Sequence, residues 1–564
     1  MNQIPRIEHP FPQFERENWL NLNGEWQFEY DHSVSGTERG LFNAESLSGK
    51  ITVPFCPESK LSGIGNTDFS RCVWYKRKVT LPESFAGNRT ILHIGACDYM
   101  TTVWVNGSEA GTHFGGYISF SFEITKYLKE GENDITIRAF DDHRTGTQPA
   151  GKQCAQFASH GCMYTRTTGI WQTVWLESVP ESRIVSAKYY TKTDGTVRID
   201  AVTDRAFGLE LTAEAFYGGE NVASGSVKVT GEHAEIVLKI DNPRLWAPGE
   251  PNLYDLTLRL GRDEVKSYFG IREISVRDHR FYVNGKSVFG RFILDQGFYP
   301  DGIYTAPSDE ALKNDIEMSM ACGYNGARLH QKIFEPRFLY HADRLGYMVW
   351  GEHANWNLDI SRPEAWKGFV SEWREEVERD FNHPALIGWC PFNETQQNQD
   401  GDLLRFVYSL TKSLDPTRPV IDTSGWFHVK GYCDMYDCHD YEQNPAVFKE
   451  KYDKLMTGEE IGDWTGPYPP ELCFVSEFGG TWWSPGVKGG WGYGASPADM
   501  EEFLTRYEGL VSALLNNDKI CAFCYTQLTD VEQEQNGLYT YDRRAKFPVE
   551  VLKRITSARS VVED

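Results

Sequence analysis

The 564-residue sequence contains no apolar run of 18 residues and no block rich in lysine and arginine. It therefore offers no candidate for a membrane-spanning helix. With a formal net charge of −23, the chain would repel a polyphosphate, so we expect neither a nucleic acid nor a membrane as a partner. The opening residues MNQIPRIEHPFPQF also lack an apolar segment behind a basic start, which predicts a cytoplasmic protein.

A clear metal-binding motif is also missing. The 12 cysteines are scattered, and most lie in apolar runs, where a reduced thiol packs as a small hydrophobic group. Cys433, Cys438 and His439 could ligate a metal, but no second Cys/His pair follows at an interval typical of zinc sites. We therefore expect buried thiols there, with no metal and no cofactor.

The first half of the chain consists of short runs of alternating apolar and polar residues, separated by Gly, Asn and Asp. Residues 1–180 include GEWQFEY, TTVWVNG and DITIRAF, a pattern typical of a β-sandwich. Residues 181–275 continue with LELTAEAFY, AEIVLKI and YDLTLRLG, on the scale of an immunoglobulin-like sandwich. Two successive β domains are predicted.

Residues 276–564 have a different pattern, in which strand-like runs alternate with helical ones. Eight apolar runs are present: VFGRFILDQG, YNGARLHQ, YMVWGEHAN, LIGWCPFNET, RPVIDTSGW, CDMYDCHDY, LCFVSEFGG and KICAFCYTQLTD. Eight such units in this length predict a (β/α)8 barrel, whose active-site groups gather at the carboxyl ends of the strands.

Most of these runs end on polar or charged side chains. The residues concerned are Asp295, Arg328, His330, Glu352, Asn393, Glu394, His439, Asp440, Glu477, Gln527 and Asp530. Solvation of strand ends could explain some of them, but convergence on one face of a barrel indicates a common site. Glu394 and Glu477 end the fourth and seventh strands and could face each other across a substrate, as glycosidic bond cleavage requires.

The sequence resembles glycoside hydrolase family 2, the family of β-galactosidases, β-glucuronidases and β-mannosidases. WLNLNGEWQF and GIWQTVWLE match its sugar-binding jelly-roll domain, and PNLYDLTLRL matches its linking sandwich. WCPFNE matches the acid/base motif, and FVSEFGG matches the nucleophile motif. The similarity spans nearly the whole chain.

The resemblance implies that Glu394 is the general acid/base and Glu477 the nucleophile of a retaining double displacement. It also implies that Tyr441 donates to the nucleophile and that Asn393 binds the sugar 2-hydroxyl. A packed tyrosine and a turn-forming asparagine are the structural alternatives.

The sequence departs from the family pattern where other members bind sugar hydroxyls. Arg328 matches, whereas Asp295, His330, Gln331 and Lys332 replace other side chains. His439 is a further candidate contact, and Glu352 is expected to pair with Arg328. The magnesium ligands of large β-galactosidases are not recognisable in GEHANWNLD.

Aromatic side chains beyond the strand ends could stack on a sugar ring, or could equally well be packed in the core. The candidates are Trp482, Trp483 and Tyr525. A turn-rich segment of the first domain, GTQPAGKQCAQFASHGCMYTRTTG, could reach the barrel mouth and favour attack on a terminal sugar.

We therefore expect a retaining exo-β-glycosidase that acts on a carbohydrate, and a homo-oligomer is a candidate assembly. Acidic residues near the end of the eighth strand, Glu532 and Glu534, favour a neutral sugar of the β-galactoside type over a uronate. A β-glucuronidase with Lys332 and Arg328 as a carboxylate clamp is the alternative. A catalytically silent carbohydrate-binding protein is the alternative from another class.

Overall fold

A computed structural model describes residues 4–396, 400–463, 465–486 and 489–564. In these ranges, no helix has the length and apolar character needed to cross a membrane. All 12 cysteines are free thiols, and ten of them are buried. Three domains follow one another along the chain, as the sequence predicts.

The first domain is a jelly roll built on a four-stranded and a six-stranded antiparallel sheet. Alternate apolar residues, including Trp26, Phe28 and Val103, face inward and form its core. Its strands are Trp19–Asn21, Gly24–Tyr30, Gly49–Val53, Cys72–Thr80, Arg89–Ile94, Cys97–Asp98, Met100–Val105, Ser108–Phe114, Phe120–Glu123, Glu132–Phe140, Gly169–Ile170 and Val174–Val179.

The second domain is a sandwich of a three-stranded and a four-stranded antiparallel sheet. In the strand Thr196–Asp204 every second residue is buried, which places Val197, Ile199 and Ala201 in the core. The other strands are Arg183–Thr191, Glu210–Tyr217, Glu220–Lys228, His233–Lys239, Tyr254–Leu260 and Asp263–Phe269. A small sheet of Ile274–Arg277, Arg280–Val283 and Lys286–Ser287 leads into the third domain.

The third domain is the barrel, and its regular strands form a seven-stranded parallel sheet. In chain order the strands are Gly290–Asp295, Gly326–Leu329, Met348–Glu352, Leu386–Cys390, Tyr436–Asp440, Leu472–Gly479 and Ala522–Thr526. The helices are Asp309–Ala321, Pro336–Leu345, Pro363–Asp380, Gly401–Leu414, Pro445–Met456, Met500–Leu515 and Val549–Thr556. A hairpin of Ile461–Asp463 and Gly466–Tyr468 precedes the strand Leu472–Gly479.

The predicted fifth strand is an extended segment rather than a regular strand. Residues 419–424 join the fourth strand through two isolated bridges, Trp389 to Val420 and Asn393 to Ser424. The amide of Trp389 donates to the Pro419 carbonyl at 3.1 Å, and the amide of Ser424 donates to the Phe392 carbonyl at 2.8 Å. Because Pro419 has no N–H group, it cannot extend a regular ladder. The segment nevertheless fills the gap between the fourth and sixth strands.

A buried arginine joins the first two domains. The side chain of Arg16 is 5% exposed and binds Asp263 through Nε at 2.7 Å and Glu177 through Nη1 at 3.1 Å. Its Nη2 also donates to the Ile184 carbonyl at 2.6 Å. Burial alone would raise the pKa of Glu177, but the charges of Arg16 and His93 hold this pKa at about 2.

Replacing Arg16 with methionine should lower the free energy of unfolding of these domains by about 3–5 kcal/mol, because two buried carboxylates lose their partner. Urea unfolding at neutral pH measures the change. Since the folded-state pKa of Glu177 is depressed, its contribution is present above its unfolded pKa of about 4.3 and is lost as the pH falls towards about 2. The difference between wild type and variant should therefore shrink over that interval.

Lys50→Met is the matched control, because Lys50 pairs with Glu25 while their side chains are 69% and 66% exposed. Water screens such a pair, so the unfolding midpoint should not change. Equal effects of the two substitutions would contradict a special role for the buried cluster.

Candidate active site

Two glutamates face each other where the barrel strands end. Glu394 follows the fourth strand, Leu386–Cys390. Glu477 lies in the strand Leu472–Gly479, which is the seventh when the extended segment 419–424 is counted as the fifth. One oxygen of each carboxyl group and a ring nitrogen of His439 lie within 4.8 Å of one another. The Glu394 side chain is 15% exposed and that of Glu477 is 6% exposed. One carboxyl group is therefore more accessible than the other.

The environment of Glu477 stabilises its ionised form. Its Oε1 accepts a hydrogen bond from Arg328 Nη1 at 3.2 Å, and its Oε2 accepts one from the Tyr441 hydroxyl. Burial would raise the pKa of Glu477, but the positive charges of His439, Arg328 and Lys152 outweigh it and lower the pKa to about 2. Glu477 is therefore an anion at any neutral pH, as a nucleophile must be.

The backbone of Glu394 has a φ of 54°, in the left-handed region that few residues other than glycine adopt. Its amide donates to the Ser424 carbonyl at 2.8 Å, so the irregular fifth segment holds this turn. Backbone strain of this kind clusters at functional sites, where it fixes the direction of a side chain.

His439 bridges the two carboxyl groups. Its Nδ1 lies 2.8 Å from Glu394 Oε1, and its Nε2 lies 3.4 Å from Glu477 Oε1 and 3.0 Å from Ser424 Oγ. Burial opposes a charged imidazole, but Glu477 and Glu394 raise the pKa of His439 above its ordinary value. A Cβ at Gly425 would lie 2.4 Å from the imidazole, so only glycine allows the chain to pass this close.

Arg328 ties several strand ends together. It is 1% exposed, and its Nε donates to Glu352 Oε1 at 2.6 Å. Its other nitrogens reach the Ser476 carbonyl at 2.8 Å and Asn393 Oδ1 at 3.0 Å. The expected pairing of Glu352 with Arg328 is confirmed.

His330 also binds Glu352, with Nδ1 3.1 Å from Oε2. Burial and the charge of Lys152 lower the pKa of His330 well below its ordinary value, so the ring is neutral. Glu352 is thus shared between Arg328 and His330, which fits the structural role expected for it.

Asn393 has one free donor. Its Oδ1 accepts from Arg328, and its backbone amide donates to Asn355 Oδ1 at 2.9 Å. Its side-chain nitrogen is buried and has no hydrogen-bond partner in the part of the chain that the structure describes. The amide group is therefore fixed with an N–H available to a ligand.

Two predicted sugar contacts lie outside this group. The Lys332 ammonium donates to the carbonyls of Gly297 and Tyr304, next to the first domain. Tyr525 is 1% exposed and packs against Phe478 and Tyr507. The next residue, Thr526, faces the site, because its hydroxyl contacts the Tyr441 hydroxyl at 3.2 Å. Since successive side chains of a barrel strand point to opposite sides, Tyr525 faces the outer helices.

Asp295 and Trp482 take intermediate positions. Asp295 accepts a hydrogen bond from the Gly297 amide at 2.9 Å, and burial together with Asp315 raises its pKa to about 7. Trp482 is half-buried, with Nε1 donating to Ser484 Oγ at 3.0 Å. Neither residue contacts Glu394 or Glu477 through the hydrogen bonds of the described residues.

The turn-rich segment of the first domain forms part of the barrel mouth. The Gly151 amide donates to the Ala354 carbonyl at 3.1 Å, and Asn357 Nδ2 donates to the Gly151 carbonyl at 3.0 Å. Gly151 has a φ of 55°, and a Cβ there would lie 2.2 Å from the Gln331 carbonyl oxygen. Glycine is therefore required for this close docking.

The same segment also meets the opposite side of the mouth. The Gly161 carbonyl accepts from Trp491 Nε1 at 2.6 Å and from Gln533 Nε2 at 2.7 Å. Glu532 Oε1 accepts from the Thr165 amide at 3.0 Å. This turn-rich segment of the first domain thus closes part of the entrance to the barrel mouth.

Sequence reasoning missed several residues of the site. Tyr493 stacks on Tyr441 with ring centroids 3.4 Å apart, and Lys152 reaches the ring of Trp356 with Nζ 5.2 Å from its centroid. The only local signal for Tyr493 is an aromatic pair in the glycine-rich stretch GGWGYG beyond the nucleophile motif. Nothing local marks Lys152, whose position depends on docking between domains.

Two groups in the described part of the chain have the side chains to hold a metal ion. One is Glu394, His439 and Glu477, and the other is Asp422, His428 and Cys433. In the second group His428 Nδ1 lies 2.7 Å from Asp422 Oδ1, and Cys433 donates to the Met435 carbonyl at 2.8 Å. Cys438 instead contacts the Tyr452 hydroxyl at 3.2 Å, so the cysteines around His439 do not form one cluster.

Family models of the three domains match the chain in order. The sugar binding domain of glycosyl hydrolases family 2 matches residues 62–180, its second domain matches residues 182–272, and its TIM barrel domain matches residues 274–460.

Individual relatives carry two activity names. A putative β-glucuronidase of Formosa agariphila is 29% identical over 61% of this chain and 44% of its own length. A β-galactosidase of Thermoanaerobacter pseudethanolicus is 27% identical over 71% of this chain and 54% of its own length. The chain thus spans about half the length of these curated relatives.

A solved structure shares the fold over nearly the whole chain. The β-glucuronidase of Ruminococcus gnavus superposes with a TM-score of 0.80, covering 98% of this chain and 100% of that one at 18% identity. The superposition shows the shared fold, and the three domain matches, which together cover more than half of the chain, show that the chain belongs to glycoside hydrolase family 2.

Proposed function

We propose that the protein is a retaining exo-β-glycosidase that cleaves terminal β-linked sugars by double displacement. The close approach of the two carboxyl groups carries the proposal, because one oxygen atom of Glu394 lies within 4.8 Å of one oxygen atom of Glu477. Retaining enzymes hold their carboxyl groups about 5–5.5 Å apart, whereas inverting enzymes need about 6.5–9.5 Å to admit a water. The short separation supports direct attack by a carboxylate.

In the first step Glu477 attacks the anomeric carbon while Glu394 gives its proton to the departing glycosidic oxygen. The bond from the sugar to its leaving group breaks, and an ester to Glu477 forms. The Tyr441 hydroxyl and Arg328 hold the attacking carboxylate in place. The free N–H of Asn393 is suited to the sugar 2-hydroxyl, where a hydrogen bond strengthens as positive charge develops on the ring.

In the second step Glu394, now a carboxylate, takes a proton from water. The resulting hydroxide equivalent attacks the anomeric carbon, and the bond to Glu477 breaks. Because both attacks invert the anomeric centre, the product keeps the β configuration. His439 contacts both carboxyl groups and fixes their positions relative to each other.

Exo attack is supported by the position of the first domain. The contacts of Gly151 with the third-strand loop and of Gly161 with Trp491 narrow the entrance from two sides. A long polysaccharide needs an open groove, whereas a terminal sugar fits a closed pocket. A cytoplasmic location and a homo-oligomeric state stay predictions from the sequence.

Two sugars are candidates. The sequence favours a neutral β-galactoside because Glu534 would repel a uronate. However, Glu534 accepts hydrogen bonds from the Tyr164 hydroxyl and from Asn536 Nδ2, and Lys152 adds a positive charge nearby. The charge of Lys152 favours a β-glucuronide as the second candidate. The carboxylate clamp that the sequence suggests from Arg328 and Lys332 is not available, because Arg328 binds Glu352 and Lys332 binds the Gly297 carbonyl.

Glu477→Gln should lower kcat by about four powers of ten or more, because the variant loses the nucleophile and keeps the shape. Steady-state hydrolysis of nitrophenyl β-glycosides measures the loss, and circular dichroism checks the fold. A fully folded variant within tenfold of wild type would contradict the assignment. No hydrolysis by either protein would instead support a silent sugar-binding protein.

Glu394→Ala should affect substrates unequally. A nitrophenyl glycoside, whose leaving group is poorer, should be hydrolysed far more slowly, whereas a dinitrophenyl glycoside needs little protonation and should accumulate the glycosyl-enzyme. Azide needs no general base and should restore turnover with β-glycosyl azide as product. The product configuration is read by NMR, and an α-azide would show that the roles are wrongly assigned.

A further inference from the structure

Several cations near the barrel mouth have clear partners among the described residues, and Lys152 differs from them. Arg328 binds two glutamates, Lys332 binds two carbonyl groups, and Lys546 lies 2.8 Å from Asp530. Lys152 is 5% exposed, yet its ammonium makes neither a hydrogen bond nor an ion pair with any residue in the described ranges. It lies over the rings of Trp356 and Tyr164, at 5.2 and 5.7 Å from their centroids.

Lys152 is enclosed as a residue, and its ammonium lacks an anionic partner among the described residues. The nucleophile does not supply one, because Glu477 already has Arg328, Tyr441 and His439 around it. The ring beside Lys152 belongs to Trp356, whose Nε1 donates to the Asn393 carbonyl at 3.3 Å, and this contact places the ammonium on the side of the mouth where Asn393 and Glu394 lie. It is therefore a cation of the site that lacks a protein partner.

The backbone around Lys152 is fixed. Gly151 docks against Ala354 and Gln331, as described above, and the Tyr164 amide donates to the Lys152 carbonyl at 2.8 Å. Asn357 Nδ2 binds the Gln153 carbonyl at 2.9 Å on the other side. The main chain on both sides of Lys152 is thus held at the mouth, so a ligand would have to order only the side chain.

We propose that Lys152 of the first domain binds the carboxylate of a terminal β-linked uronic acid and so selects an acidic sugar over a neutral one. This rests on the proposed function. The sugar carboxylate would supply the missing anion, and the faces of Trp356 and Tyr164 would keep the lysine directed at it through cation–π contacts. The specificity residue would then come from the jelly roll rather than from the barrel.

Glu534 does not fill this role. Its two carboxylate oxygens accept from Tyr164 and Asn536, and Asn536 in turn accepts from Gln527 Nε2 at 2.7 Å. The structure records no ion pair between Glu534 and Lys152 in the ranges described. The acidic group is therefore held by a neutral network, and the cation stays available.

The test compares kcat/KM for nitrophenyl β-glucuronide and nitrophenyl β-galactoside. Wild type should prefer the glucuronide by about tenfold or more, and Lys152→Met should lower the ratio of the two constants by about tenfold to a hundredfold, mainly through KM. Lys152→Arg keeps the charge and should retain a preference for the glucuronide. Circular dichroism confirms that each variant is folded.

Lys126→Met is the matched control, because Lys126 is an exposed lysine of the same domain that also lies over a tyrosine, with Nζ 4.7 Å from the Tyr127 ring centroid. The ratio should not change in this variant. A wild-type preference for the galactoside, or an unchanged ratio in folded Lys152→Met, would overturn the proposal while leaving the glycosidase assignment intact.

A third substrate separates the sources of negative charge. If nitrophenyl β-galactoside 6-phosphate is cleaved better than the glucuronide, Lys152 binds a phosphate ester and the uronate proposal is wrong. If no glycoside is cleaved and a dinitrophenyl 2-fluoroglycoside does not label Glu477, both the proposed function and the uronate proposal fail.

Discussion

The site depends on the burial of one guanidinium group. Arg328 is almost inaccessible to solvent and joins the ends of four strands through Glu352, Asn393, the Ser476 carbonyl and Glu477. A buried cation requires anions, and the two glutamates meet that requirement. The same contacts orient Asn393 and stabilise the ionised form of Glu477, so one electrostatic constraint positions both the proposed sugar contact and the proposed nucleophile.

The two carboxyl groups are alike in chemistry but differ in surroundings. Glu477 is enclosed by Arg328, Tyr441 and His439, whereas Glu394 is more exposed and lies on a strained turn held by the irregular fifth segment. Such a difference is what allows two glutamates to perform different steps of one reaction. Residues 419–424 contribute to this difference, because the Ser424 carbonyl accepts from the Glu394 amide and the Ser424 hydroxyl contacts His439.

The first domain is part of the active-site wall rather than a separate module. Its segment around Gly151 and Gly161 contacts loops after the third, seventh and eighth strands. These contacts narrow the mouth and bring Lys152 to it. Substrate choice can therefore depend on residues far along the chain from the catalytic motifs, and a barrel without its jelly roll would lose part of its binding site.

The sequence by itself determined the three-domain order, the barrel and the positions of Glu394 and Glu477. The alternation of apolar and polar residues, the helical periodicity and the strand-end motifs are local features, and each can be recognised in the sequence. It also indicated the pairing of Glu352 with Arg328. Only the tertiary structure decided which strand-end side chains reach the site, because strand alternation turns Tyr525 outward and interface carbonyls take the ammonium of Lys332. Lys152 and Tyr493 enter through docking between distant segments, and that long-range geometry leaves no periodic trace in a single sequence.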